Sequence, residues 1–310
     1  MKGKAHKQIT RKAVEIFTEH QQSDFGKLLK HYDGDVVEGS VEADLFPILD
    51  RMKNWHFYRE NDHLQPMDSV LGTVYPTSDH ILAKRIAQLK ECTVKANGTT
   101  SAYKKDNALE DLFEFTGRAL HHIQDMSTPS HVTPIYHGPD FPFDQVENAL
   151  IVRDHYEDFS AKKEILMPLV DAVTVSKDEF DIIAAGVGDS TLLDIYEEAA
   201  QSSLSIIFED YSSNFIEGKI NGQITEIPLS LFWQKNDASQ DRGRIKGFGS
   251  FGPLSLCFAD PGITVLDDDG NSYSVETAAL KALYDRLLNK MIRDSLCGLF
   301  VVEKMMAGVG

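Results

Sequence analysis

The sequence predicts a mainly α-helical single domain spanning residues 1–310, with a β-hairpin or loop insertion at about 216–274. Two observations carry this. Apolar residues recur at three- and four-residue spacing through most of the chain, the period of a helix with one buried face. Only from about Ile216 to Ser274 does the pattern change. There Asn221-Gly222 and Asp269-Gly270, both hairpin-turn dipeptides, lie between short β-prone runs, and glycines crowd Arg242 to Gly252. A segment of roughly 60 residues with few large apolar side chains makes a marginal core by itself, so it reads as an insertion between two helices.

The elements follow in order. A first helix is predicted over about Ala5 to Glu19, with Ile9, Ala13, Ile16 and Phe17 on one face. A second covers Asp24 to Tyr32 and stops at Asp33-Gly34. A third follows Pro76, with Thr77 or Ser78 as its cap and Ile81, Ile86 and Leu89 pointing inward. Ala102 to Met126 reads as a long helix burying Leu109, Leu112, Phe113, Gly117, Leu120 and Ile123, which Pro129 helps to end. Further helices are expected over Asp144–Lys162, Thr191–Phe215 and Val275–Met306, the last a core helix rather than a membrane anchor.

Composition narrows the function. The chain carries 31 Lys and Arg against 48 Asp and Glu, a formal net charge of −17. A protein that tracks nucleic acid along a broad surface needs the opposite sign, because it binds by neutralising phosphates. An enzyme whose positive charge comes from bound metal remains compatible. Cys92, Cys257 and Cys297 are too few and too irregularly spaced for a disulfide framework or a Cys-rich zinc module. There is no run of about 18 apolar residues, so no membrane-spanning helix is expected. Met1 to His6 lacks the apolar stretch of a signal peptide.

The histidines carry the chemistry. In the run from His121 to His131, His121 and Asp125 stand one helical turn apart and share a face, where an imidazole and a carboxylate hold one cation between them. His131 follows the proline break, where the chain turns back. His56 sits in the aromatic run Trp55-His56-Phe57-Tyr58, and Asp44 lies a short apolar stretch before it. His6 opens the first helix. Singly, each has a bland reading: a core histidine, a cap or a fraying terminus. Together, four imidazoles and two carboxylates without thiolates suit zinc or a similar divalent ion.

The order His6, Asp44, His56-Phe57-Tyr58, His121-x3-Asp125-x5-His131 resembles the zinc-dependent phospholipase C / S1–P1 nuclease superfamily over roughly residues 1–160, with Gly117 to His131 the most specific part. The resemblance implies a phospholipase C/P1 nuclease-like all-helical fold with about two to three zinc ions. It implies that His56, His121 and Asp125 hold one zinc, that Asp125 bridges to a second, and that Asp44 is a further ligand or the base for the attacking water. His6 would join the second zinc, together with the α-amine and carbonyl of the first residue, here Met1. For a third zinc the family pairs the His131 position with a later His-x3-Glu or His-x3-Asp. Here Glu157 supplies the acid, but Arg153 stands four residues before it. His155 is two before Glu157, about 200° round a helix. His155 with Asp158, or His137 in the preceding loop, are the alternatives.

The implied activity is metal-dependent hydrolysis of a phosphodiester, with a phospholipid or similar diester as substrate, transient contact with a membrane surface, and a secreted or extracytoplasmic location. An S1/P1-type single-strand nuclease, or a metal-binding helical protein without catalysis, are the alternatives. The loop after His131 lacks the nuclease branch's glycine pair and is closer to the phospholipase branch. Leu45 and Lys53, however, stand where choline-specific members have aromatic residues. Elsewhere, Trp233, Phe248 and Tyr273 read as cover for the core, with a substrate lip as the alternative. Gly247 to Gly252 lacks the Lys-Ser/Thr of a phosphate loop. Asp267 to Asn271 resembles a calcium loop, but Val265 occupies its first ligand position, so a solvated acidic turn is expected.

Overall fold

Helix α1 (Gly3–His20) buries Ile9, Ala13, Ile16 and Phe17 on one side, and His6 and Thr10 are buried with them. The computed structural model to which it belongs describes residues 2–45, 57–58, 67–68, 74–75, 78–135, 137, 153–208, 215–235 and 249–308, without the side chains of 42–45, 67–68 and 74–75. Ser23 caps α2 (Asp24–His31) by accepting the Gly26 N–H at 3.1 Å. The second helix ends before Asp33-Gly34 as expected, and a new helix, α3 (Asp33–Leu45), starts there with Asp33 and Asp35 at the positive end of its dipole. A short antiparallel pair, β1 (Met67–Asp68) and β2 (Val74–Tyr75), precedes α4 (Ser78–Gly98).

The central helix is α5 (Ala102–Asp125), entered at Ser101, whose Oγ accepts the Lys104 N–H. It packs against α1, α3 and α4 and against two later helices, α10 (Leu192–Phe208) and α11 (Thr277–Ala307). The α3–α5 crossing is close because both helices place glycine there. A Cβ on Gly117 would lie 1.9 Å from the Val36 carbonyl oxygen, and one on Gly39 2.0 Å from that of Glu114. Pro129 opens the short helix α6 (Pro129–Val132) at a position that needs no N–H.

The helix expected over 144–162 is corrected in its described part. Arg153 and Asp154 are not helical, and α7 runs only from His155 to Ser160. The cause is Asp154, whose Oδ1 accepts the N–H groups of Tyr156 and Glu157 at 2.9 and 3.2 Å and starts a new helix there. Helices α8 (Lys163–Ala172) and α9 (Lys177–Val187) follow. Of the helix expected over 191–215, α10 covers Leu192–Phe208, and the expected end is corrected: Phe215 is in a strand, where it and Ile216 pair with Pro228 and Ile227.

Between α10 and α11 lies the small β region. Strands β3 (Phe215–Ile220), β4 (Gln223–Pro228), β7 (Val265–Leu266) and β8 (Ser272–Ser274) form a sheet in the order β4-β3-β8-β7. Asn221 and Gly222, at φ 51° and 82°, make the tight turn between β3 and β4. A second pair, β5 (Trp233–Gln234) and β6 (Ser250–Phe251), is tied to the chain after α6 by Gly249 N–H donating to the Pro134 carbonyl at 2.8 Å. Trp233 is fully buried among Tyr156, Phe232 and Phe258, and Tyr273 is buried too, so both cover the core; Phe248 lies outside the described residues. Asp267 spends its oxygens on the Asp269 and Asn271 N–H groups and the Tyr273 hydroxyl, as a solvated turn does. One continuous apolar cluster runs from Ala5 to Val302 and includes these β-region side chains. The chain is thus mainly helical with a small β insertion, and no described helix is long and apolar enough to cross a membrane.

Candidate metal centre

The C-terminal turn of α5 carries His121 and Asp125 on one face, and α1 crosses it with His6 facing the same point. All three side chains are at most 1% exposed. The His6 Nε2 lies 3.2 Å from Asp125 Oδ1, and the His121 Nε2 lies 3.2 Å from Asp125 Oδ2. The far nitrogens are fixed. His6 Nδ1 donates to Gln124 Oε1 at 2.8 Å, and His121 Nδ1 donates to the Ser40 carbonyl at 2.8 Å. That carbonyl is within reach because Gly39 and Gly117 bring α3 against α5.

A neutral imidazole that donates through Nδ1 holds a lone pair on Nε2. A lone pair 3.2 Å from a carboxylate oxygen is repulsive unless a proton or a cation lies between them. For His6 the proton is disfavoured: burial, and then the neighbouring His121, hold its pKa below the ordinary value despite Asp125. A metal ion meets the same demand without the proton. Zinc bonds of about 2.0–2.2 Å in a tetrahedral site put adjacent ligand atoms roughly 3.4 Å apart. The observed N···O separations are close to that edge.

A second group lies alongside. His131 on α6 turns Nε2 to Glu157 Oε1 at 3.0 Å and Nδ1 toward Asp125 Oδ2 at 3.5 Å, linking the two groups. His137 donates Nδ1–H to the Ile135 carbonyl at 2.8 Å and directs Nε2 to Glu157 Oε1 at 3.5 Å. Burial alone would raise the Glu157 carboxyl, but surrounding positive charge and hydrogen bonds from His131 and His137 hold it well below the usual range. Burial would lower His137, yet the Glu157 charge outweighs it and lifts the imidazole to about 9. Asp154 is raised by burial and by Glu157. Ligand atoms of His6, His121 and Asp125, and likewise of His131, His137 and Glu157, lie within 4.8 Å of one another, so each group could hold a metal ion.

The remaining candidates fall as follows. His155 is the half-buried first residue of α7 and belongs to neither group; Asp154 starts the helix there, so Glu157 stands too far round it. Arg153 pairs with Asp158 instead of facing Glu157. Lys2 also pairs with Asp158, which brings the start of the chain to α7. Asp44 lies on α3, one turn after Ser40, with its side chain outside the described residues. Met1 and His56 lie outside them altogether, but the residues after His56 lie against the centre: Tyr58 N–H donates to the His131 carbonyl at 3.0 Å, and the Phe57 ring is 5.6 Å from that of His131. Sequence reasoning passed over Gln124 and the Ser40 carbonyl, the partners of the two outer nitrogens. Spacing alone did not favour His137 over His155. An open cavity of about 460 Å³ between α4 and α5, lined by Lys95, Lys104 and Asp111 among others, shares no residue with either group.

No family model matches the chain, and no curated protein matches it. What fold and site define is a class: a mainly helical protein with two adjoining, buried histidine–carboxylate groups, each able to hold a metal ion.

Proposed function

We propose that this protein is a zinc-dependent phosphodiester hydrolase of the phospholipase C-like kind, acting on a phospholipid or a similar diester. One observation carries the reading. Three imidazoles, those of His6, His121 and His137, have Nδ1–H tied to a carbonyl oxygen and turn Nε2 onto Asp125 or Glu157 at 3.2 to 3.5 Å. Such a donor set suits zinc, with outer partners for the ring nitrogens already in place. The burial, the absence of thiolates and the order of the residues along the chain agree with the superfamily resemblance.

On this reading His6, His121 and Asp125 hold one or two ions, Met1 and His56 complete that set, and His131, His137 and Glu157 hold the next. When bound, such ions neutralise a phosphate and make water nucleophilic at neutral pH. Asp44, on the helix that orients His121, is the base for that water or a further ligand. His121 and His6 keep Nε2 free of protons because Ser40 and Gln124 take the other hydrogen. Two or three ions add about four to six positive charges to a chain whose formal charge is −17, which draws an anionic diester to the centre rather than to the outer surface. Contact with a membrane surface and a secreted location follow from the same reading.

The test is zinc loading, removal of excess, metal analysis, and then assay on a chromogenic phosphodiester, phosphatidylcholine, other phospholipids and single-stranded DNA. Roughly two to three zinc ions per chain and hydrolysis of a phospholipid support the proposal. A count near zero rejects it. Cleavage of DNA alone makes the protein an S1/P1-type nuclease, and zinc without hydrolysis makes it a non-catalytic metal protein. Asp125→Ala must abolish activity.

A further inference from the structure

What holds the orientation of the Gln124 amide, and with it the His6 tautomer, is a chain of buried hydrogen bonds that starts at α11. The Ser295 hydroxyl donates to the Met291 carbonyl at 2.7 Å, which uses its only hydrogen. Toward Gln124 it can then only accept, and the Gln124 Nε2 lies 3.0 Å from it. The same amide nitrogen donates to Thr10 Oγ1 at 2.9 Å, on the helix that carries His6. With Nε2 held from two sides, the amide cannot flip, and Oε1 must face His6 Nδ1 at 2.8 Å. An amide oxygen only accepts, so the hydrogen of His6 is placed on Nδ1, and the buried Nε2 turns to Asp125 as a bare lone pair. Gln124, Thr10, Ser295 and His6 are all fully buried, so water does not compete for these bonds.

We infer that Gln124 is a positioning residue for the metal centre: its amide, locked by Thr10 and Ser295, fixes His6 as the Nδ1–H tautomer and presents Nε2 to the ion. The inference rests on the metal reading for its purpose, but the tautomer exists without metal and is measured without it. Outer-shell partners of this kind are worth ten- to a hundred-fold in metal affinity.

The experiment uses the full chain labelled with ¹⁵N-histidine, stripped of metal for NMR and then titrated with zinc against a chromophoric chelator. The wild type is expected to show His6 with a protonated Nδ1 and a pyridine-like Nε2. Gln124→Met removes the acceptor at similar length; it should mix the two tautomers and weaken the tightest zinc ten- to a hundred-fold. Gln124→Glu keeps an acceptor toward His6 Nδ1 but gives up the hydrogens donated to Thr10 and Ser295; it should retain the Nδ1–H tautomer and more of the zinc affinity than Gln124→Met does, a rescue that a merely structural role does not predict. Should Gln124→Met not fold, Ser295→Ala loosens only the amide's anchor and should move the same signal less far. A wild-type His6 protonated on Nε2 overturns the inference, as does an unchanged tautomer and affinity in Gln124→Met. If the wild type binds no zinc while the NMR result stands, the metal reading has failed and the positioning of His6 has not.

Discussion

Gly117→Ala tests whether the helix crossing builds the site. The added Cβ would lie 1.9 Å from the Val36 carbonyl oxygen and 2.8 Å from the Ser40 nitrogen, both backbone atoms. Cβ contacts under 3.0 Å are essentially never seen, so α3 and α5 must separate by about 1 Å at this point. No side chain can yield in their place. Overpacking of this kind costs about 1–3 kcal/mol, and here the upper end applies because backbone is met on two sides. Removing a glycine from a helix interior returns about 1 kcal/mol, leaving a net loss of roughly 2 kcal/mol. The same separation carries the Ser40 carbonyl away from His121 Nδ1, from 2.8 Å to beyond hydrogen-bond range. Two readouts are therefore expected to fall together: stability in urea, and zinc affinity about ten-fold or more. Gly186→Ala on α9, where a Cβ meets nothing within 4 Å, is the control and should be neutral or stabilising by up to about 1 kcal/mol. If Gly117→Ala behaves like Gly186→Ala in both readouts, the close crossing does not position His121.

Three further outcomes are expected. His137→Ala should remove one ion from the loaded protein while His155→Ala leaves the count unchanged; equal counts in metal analysis would reject the choice between them. In the zinc-free protein His137 is raised above its unfolded value of 6.5 to about 9, so its contribution is complete below pH 6.5 and is lost as the pH rises through 9. Thermal unfolding should show the melting temperature declining over that window, and His137→Ala should flatten the slope. Asp154→Ala removes the cap of α7 and the Ser130 hydroxyl's partner, costing about 2 kcal/mol in urea unfolding, with loss of zinc from the group containing Glu157.

How much of the fold could be read in advance depended on what each helix buries. Helix α5 was legible because 24 residues of helical period place Leu109, Leu112, Phe113, Leu120 and Ile123 on one side. Helix α3 was not, because it packs through Gly39 and Ser40, and among its described side chains the buried large apolar residues are Val36 and Val37, too few for a wide hydrophobic stripe. Helix α9 carried a readable start, Ser176 followed three residues later by Glu179, and Ser176 Oγ does accept the Glu179 N–H. Asp154-x-x-Glu157 is the same kind of signal, and read as a helix start it breaks the single helix expected over 144–162.

That break bears directly on the candidate metal centre. Counting back four residues from Glu157 presumes that Arg153 shares its helix, and the count then finds a cation where a ligand is needed. Once Asp154 begins a new helix, no residue before it is bound by helical spacing, and the imidazole beside Glu157 comes from His137, twenty residues earlier. His121 and Asp125 were legible because one helical turn separates them. His6 and Gln124 are 118 residues apart, and Gln124 and Ser295 are 171. Local spacing cannot state such a relation, whereas the accounting of buried hydrogens can: Ser295 donates to Met291, the Gln124 amide donates to Ser295 and Thr10, and its oxygen is left for the histidine. His121 and Asp125 are therefore set by short-range pattern, whereas His6 and His137 are brought in by the tertiary fold, and the nitrogens that His6 and His121 turn to Asp125 are set by long-range satisfaction of buried polar groups.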